Sequence, residues 1–83
     1  MKQTLLDAIM RERKYQDLKH GTIDERPHEV GAWLTILRTE LREAEEAWAS
    51  KHGDEAALRE ILQIATVAVA CMEQHGVVES DNG

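Results

Sequence analysis

The sequence predicts an all-α chain, an antiparallel helical bundle of about three helices completed by homo-oligomerisation. Three observations lead there. Between a few breakers (Gly21, Pro27, Gly31, Gly53, Gly76 and Gly83) the chain is rich in Ala, Leu, Glu and Arg, which lose little rotamer freedom in a helix. Val30, Leu34, Leu37, Leu41, Ala44 and Trp48 recur at spacings of 4, 3, 4, 3 and 4, the stripe of an amphipathic helix. Of the 12 residues at 61–72, all but Gln63 and Thr66 are apolar. No window shows the sustained period-two alternation, flanked by turn pairs, that marks a strand.

The elements follow in order. The first helix is expected over 4–19, with Thr4 as N-cap and Asp7 three residues on as a weak capping box. Leu5, Leu6, Ile9 and Met10 form its apolar face, and Gly21 suits its C-terminal end. Residues 20–26 read as a polar connection. Pro27 then fits the first turn of a second helix running to about His52, with Asp24 or Glu25 near its positive end. Gly31 inside that helix costs roughly 1 kcal/mol relative to Ala. It calls for a close-packed neighbouring backbone or for a later helix start. A turn at Gly53 and Asp54, with Asp54 as N-cap, leads into a third helix over 55–74 that ends near Gly76. Residues 1–78 read as one domain and 79–83 as a frayed tail.

On the third helix, Leu58, Leu62, Ala65 and Val69 share one face, while Ile64, Val67 and Cys71 lie on much of the other side. A helix apolar all round is buried all round, and two further helices of one short chain can hardly cover it. This is the reason to expect a homodimer or homotetramer. Trp48, on the stripe, and Cys71, in the apolar run, read as core residues.

Composition excludes several classes. The chain has 83 residues, 16 acidic against 10 basic, a formal charge of −6 and a single cysteine. One cysteine allows neither an intrachain disulfide nor a CxxC motif. Unclustered basic residues in an acidic chain argue against nucleic acid as a partner. Asp7 interrupts the only apolar stretch near the start, and 12 apolar residues fall short of the ~20 a membrane span needs. The expectation is a cytoplasmic protein with no membrane partner. There is no phosphate-cradling glycine loop, Gly-x-Ser-x-Gly elbow or HExxH. The four histidines, His20, His28, His52 and His75, lack metal-ligand spacing.

The carboxylates are more informative. Glu40 and Glu43 stand three apart on the second helix, at neighbouring positions of one face. Glu60 and Gln63 stand three apart on the third. Counted from Gly53, Glu43 is 10 residues away and Glu60 is 7, so an antiparallel hairpin sets the two pairs at similar height. Oxygen ligands so gathered suit magnesium, which keeps several waters and shares substrate phosphates. Periodicity alone leaves two readings open, a metal site and a solvated acidic face, and the solvated face is the commoner.

The stretch WLTILRTELREAEEAW at 33–48, with Glu40 and Glu43 as an ExxE, resembles the first motif of MazG-like nucleoside triphosphate pyrophosphohydrolases. After a gap of 16 residues, LREILQIATVAVACME at 58–73 occupies the place of the second motif, ExxD, at the start of an apolar helix. The resemblance covers roughly residues 13–76. The segment from Glu12 to Gly21, followed by Gly31, Ala32 and Trp33, is similar to a small bacterial and phage-type subgroup. The family implies an all-α fold assembled into dimers or tetramers. It also implies hydrolysis of a nucleoside triphosphate to the monophosphate and pyrophosphate, with a role in clearing surplus or non-standard nucleotides. Carried over by position, Glu40, Glu43 and Glu60 are catalytic and bind Mg2+, with Mn2+ as a substitute, and Gln63 completes the ligand set. Arg13, Lys14, Gln16, Lys19 and Trp33 are substrate-contact candidates by location, alongside plainer readings as solvated or core side chains.

Gln63 departs from the family, which has aspartate there. Its amide offers a carbonyl oxygen but neither charge nor basicity. Three hypotheses follow: a magnesium-dependent pyrophosphohydrolase, a nucleotide- or metal-binding module without turnover, and a structural helical oligomer.

Overall fold

A computed structural model describes residues 1–50 and 53–80. Three α-helices run in order, α1 (Gln3–His20), α2 (Val30–Ala49) and α3 (Gly53–His75), and no strand occurs among the described residues. The all-α expectation holds. Among the described residues no helix is long and apolar enough to cross a membrane.

Helix α1 starts at Gln3 with Lys2 as its cap residue, and no side chain caps it. The expected Thr4 cap is therefore wrong. Gln3 Nε2 instead donates to Asp7 Oδ1 at 2.9 Å, so Asp7 is used one turn into the helix. The C-terminal ends of α1 and α3 are as expected. Gly21 and Gly76 take φ of 91° and 92°, where a side chain is strained, and their N–H groups close on Asp17 O and Met72 O.

The start of α2 differs. The helix begins at Val30, three residues after Pro27, and ends at Ala49, with the Ser50 N–H bonded to Glu46 O. The backbone just before it is committed elsewhere. The His28 N–H and C=O both bind the Gln74 side chain on α3, and Glu29 is extended at φ −70°, ψ 158°. Gly31 thus sits in the first turn, and a Cβ built on it meets nothing within 4 Å. The later start, and not a close neighbour, accounts for it. The expected end of α2 at His52 lies outside the described residues, as do residues 81–83 of the tail. Asp54 lies inside the first turn of α3 and accepts a hydrogen bond from Trp48 Nε1 at 2.9 Å, so it is bound back to α2 instead of capping α3.

Helices α2 and α3 form the antiparallel hairpin, and α1 lies on α3. The core sits where Trp33 meets Val67 and Ala70, with Ile23, Ile36, Leu37 and Cys71 packed around it. Cys71 is thus a half-buried packing residue, as expected. Ala44 and Ala57 fill the hairpin interface nearer its turn. Thr66 is completely buried and donates its hydroxyl to Leu62 O within α3.

Two burial expectations fail for the single chain. Trp48 is 62% exposed and is not a core residue. Val30, Leu34 and Leu41, on the same stripe, are also exposed, as are Leu58, Ile61 and Met72 of α3. The reason is rotational. Helix α2 turns its Trp33–Ile36–Leu37–Glu40–Ala44 side toward α3, so Leu37 and Ala44 of the stripe pack inward while Val30, Leu34, Leu41 and Trp48 look outward.

Candidate functional site

The site is built where α2 and α3 face each other, on the α1 side of the hairpin. Glu40 and Glu43 come from adjacent turns of α2, and Glu60 comes from the first half of α3. One oxygen from each can be chosen so that all three lie within 4.8 Å of one another. Oxygens sharing a magnesium ion at about 2.1 Å are at most about 4.2 Å apart. At least two of the three pairs around one octahedral ion are cis, about 3 Å apart, so side-chain rotation has to draw the set closer together before it can share one ion. Among the described residues no Lys, Arg or His forms an ion pair with any of the three.

That lack of a counter-charge appears in the proton affinity of Glu40. Its carboxyl titrates above the ordinary glutamate range, first because it is partly buried and then because the Glu43 and Glu60 charges oppose its ionisation. Three carboxylates held together without a cation cost stability, and a divalent ion relieves that cost. The donor set is therefore of the kind magnesium takes.

Glu40 also lines a half-open cavity of about 760 Å³ walled by α1, the connection at residues 21–29, α2 and α3. Its apolar wall is Ile23, Trp33, Ile36, Val67 and Ala70, and its polar side sets Arg13, Lys19 and Arg26 beside Asp17 and Glu25, with His20 and His28. A volume of this size lies in the range of small-molecule sites.

The structure gathers most of the sequence-derived candidates and separates one. Arg13, Gln16, Lys19, Trp33, Glu40 and Gln63 all line the cavity. Lys14 does not: it is exposed and lies outside the lining, because one residue along a helix turns it away from its neighbour Arg13. Arg13 is buried, with its Nε on Glu73 at 2.6 Å and its Nη1 on Asp17 at 3.0 Å. Burial weakens its hold on the proton, but bonding to Glu73 and then Asp17 outweighs this and leaves its pKa raised. Arg13 therefore serves first to join α1 to α3. Trp33 contributes an edge, since its ring is buried and its N–H is bonded to Gln74 Oε1 at 3.0 Å.

Gln63 is engaged sideways. Its Nε2 donates to Glu12 Oε2 at 2.7 Å, and its Oε1 accepts from Gln16 Nε2 at 3.2 Å. Both ends of the amide are thus used to hold α1, including the carbonyl oxygen expected to face the metal.

Sequence reasoning missed Glu12 and Gln74. Gln74 Oε1 accepts from the His28 N–H and the Trp33 indole, and its Nε2 donates to His28 O at 2.7 Å. His75 Nε2 also lies 2.7 Å from His28 O, and the His28 ring meets the Trp33 ring edge-on at 4.9 Å. These contacts fasten the connection at 21–29 as a wall of the cavity. No motif signals a glutamine clamp of this kind. Gln74→Ala is expected to cost about 1–3 kcal/mol, the penalty for stranding partly buried polar groups. Urea unfolding measures it, and the His28 amide should exchange with solvent faster in the variant.

Compared with protein-family models, with curated proteins and with solved structures, the chain matches none.

Proposed function

We propose that the chain is a magnesium-dependent nucleoside triphosphate pyrophosphohydrolase of the MazG-like kind, acting as a homodimer or homotetramer. The observation that carries this reading is the convergence of Glu40, Glu43 and Glu60, with no ion-pair partner among the described residues, at the edge of a cleft whose walls are apolar on one side and of mixed charge on the other. Glu40, Glu43 and Glu60 hold the metal. Bound there, magnesium supplies charge neutralisation for the phosphates and a lowered pKa for the attacking water. Lys19 and Arg26 reach the cavity as counter-charges for phosphate oxygens, and the wall of Trp33, Ile36 and Val67 offers an apolar surface to a nucleobase.

One observation favours a second reading. Gln63, standing in the family's aspartate position, has its amide committed to Glu12 and Gln16. The chain on this reading is a nucleotide- or metal-binding module without turnover. A panel of common and modified nucleoside triphosphates, with Mg2+ or Mn2+ and pyrophosphate detection, decides between them. The hydrolase reading expects pyrophosphate release that EDTA abolishes. Calorimetric binding of a triphosphate that is never consumed selects the second reading, and neither binding nor release removes both.

A further inference from the structure

We propose that Glu12 fixes the polarity of an amide pair, Gln63 and Gln16. The cavity thereby presents a hydrogen-bond acceptor, which selects a nucleobase with an exocyclic amino group over its oxo counterpart. This rests on the nucleotide reading above and adds to it the class of base. Glu12 is a positioning residue, and Gln16 is the group that meets the base.

The direction of the relay follows from donor and acceptor chemistry. An ionised carboxylate only accepts hydrogen bonds, whereas an amide side chain has one accepting and one donating end. Glu12 Oε2 lies 2.7 Å from Gln63 Nε2, so the donating end of Gln63 is the one that faces it. Turning that amide over would set two oxygens against each other. With its Nε2 held by Glu12, Gln63 has only Oε1 to offer Gln16, and Gln16 meets it with Nε2 at 3.2 Å. One carboxylate thus orders both amides. The open end of the relay is Gln16 Oε1, which has no hydrogen-bond partner among the described residues. No buried side-chain oxygen or nitrogen among them lacks a partner, so this oxygen is reachable from solvent.

The relay stands between the two parts of the site. Gln16 and Gln63 both line the cavity. On α3, Glu60, Gln63, Val67 and Ala70 follow one another at spacings of 3, 4 and 3. They therefore run along one face of the helix, from the carboxylates through the amide to the apolar wall. A triphosphate anchored at the carboxylates directs its base onto the wall of Val67, Ile36 and Trp33, with Gln16 beside its edge.

Fixed polarity matters for only some ligand groups. A sugar hydroxyl both donates and accepts, so either end of an amide suits it. Phosphate oxygens and exocyclic oxo groups only accept, and Gln16 Oε1 repels them. An exocyclic amino group donates. A site built to bond such a group rejects the analogue that cannot make the bond. The fixed acceptor therefore favours cytosine over uracil, or adenine over hypoxanthine.

Binding of α,β-methylene nucleoside triphosphates, which resist cleavage between those phosphates, tests this on the full chain with Mg2+. In whichever of the two pairs binds more tightly, the amino base is expected to lead its oxo counterpart by about 5–100-fold, the scale of a stranded polar group. Glu12→Gln leaves three amides that can run in either direction, so the ratio should fall close to unity. A role confined to joining α1 to α3 would weaken both members of the pair alike and leave the ratio unchanged. Glu12→Gln combined with Gln16→Glu moves the carboxylate to the other end of the relay at the same net charge, and the preference should return. Should Glu12→Gln unfold, Gln16→Lys decides. A donor at that place should turn the preference toward the oxo base, and an unturned preference overturns the proposal. Wild-type chain that binds triphosphates with no amino preference, or a preference that Glu12→Gln leaves intact, overturns the proposal and leaves the nucleotide reading standing. Failure of every triphosphate to bind overturns both.

Discussion

Glu40→Gln is expected to remove metal-dependent activity while making the metal-free chain more stable. Partial burial, then the charges of Glu43 and Glu60, raise the Glu40 pKa in the folded chain. The folded state therefore holds this proton more tightly than the unfolded state. Glu40's contribution to stability is fully present below the ordinary carboxylate value and is lost as pH rises through the raised one. Glutamine keeps the uncharged form at every pH. Without metal, the variant should melt with the wild type at pH 4 or below and above it at pH 7. On the proposed reading magnesium reverses the order, because it would bind the ionised cluster. At 100 times its dissociation constant it stabilises the wild type by about 2.7 kcal/mol, and the variant should lose that gain. Loss of a supporting group around a metal costs about 10–100-fold in affinity or activity, so loss of a direct ligand is expected to cost at least about 100-fold in pyrophosphate release. Thermal melts with and without Mg2+ at the two pH values check the stability side, and the pyrophosphate assay checks the activity. A metal-free variant less stable than wild type at pH 7 would show that the three carboxylates do not strain one another.

The trio is legible in the amino-acid sequence because its geometry is local. Glu40 and Glu43 share a helix face by spacing alone, and a short hairpin brings Glu60 to their height. What the sequence does not disclose depends on rotation and docking. The regular stripe from Val30 to Trp48 invites placement in the core, yet only its Leu37 and Ala44 edge, beside Trp33, packs inward. Periodicity shows that a face is apolar, not which neighbour covers it. Pro27 marks the approach to α2, but the helix starts only at Val30 because Gln74, 46 residues away from His28, claims the His28 backbone. The pairing of Gln63 with Glu12 and Gln16 likewise exists only once α1 lies on α3.

Trp33→Ala is expected to have the largest effect on folding of any single truncation. Trp33 is 7% exposed, and the other buried apolar side chains are Ala44, Ala57, Val67 and Ala70, so it is the one large apolar group fully inside the chain among the described residues. It belongs to the cluster with Val67 and Ala70 around which Ile23 from the connection, Ile36 and Leu37 from α2 and Cys71 from α3 are packed. Truncating a buried tryptophan costs about 3–5 kcal/mol. At about 0.05–0.15 kcal/mol per residue, a chain of this length has roughly 4–12 kcal/mol in total. The loss is therefore a large share of the stability and can exceed it. The hydrogen bond to Gln74 is a smaller part, which Trp33→Phe isolates: much of the ring is kept, the indole N–H is removed, and Gln74 Oε1 still has the His28 N–H. The expected order of urea midpoints is wild type, then Trp33→Phe, then Trp33→Ala, with the second gap wider than the first. Equal gaps would place the weight on the Gln74 bond, and packing at the centre of α2 and α3 would then not be what holds the hairpin closed around its carboxylates.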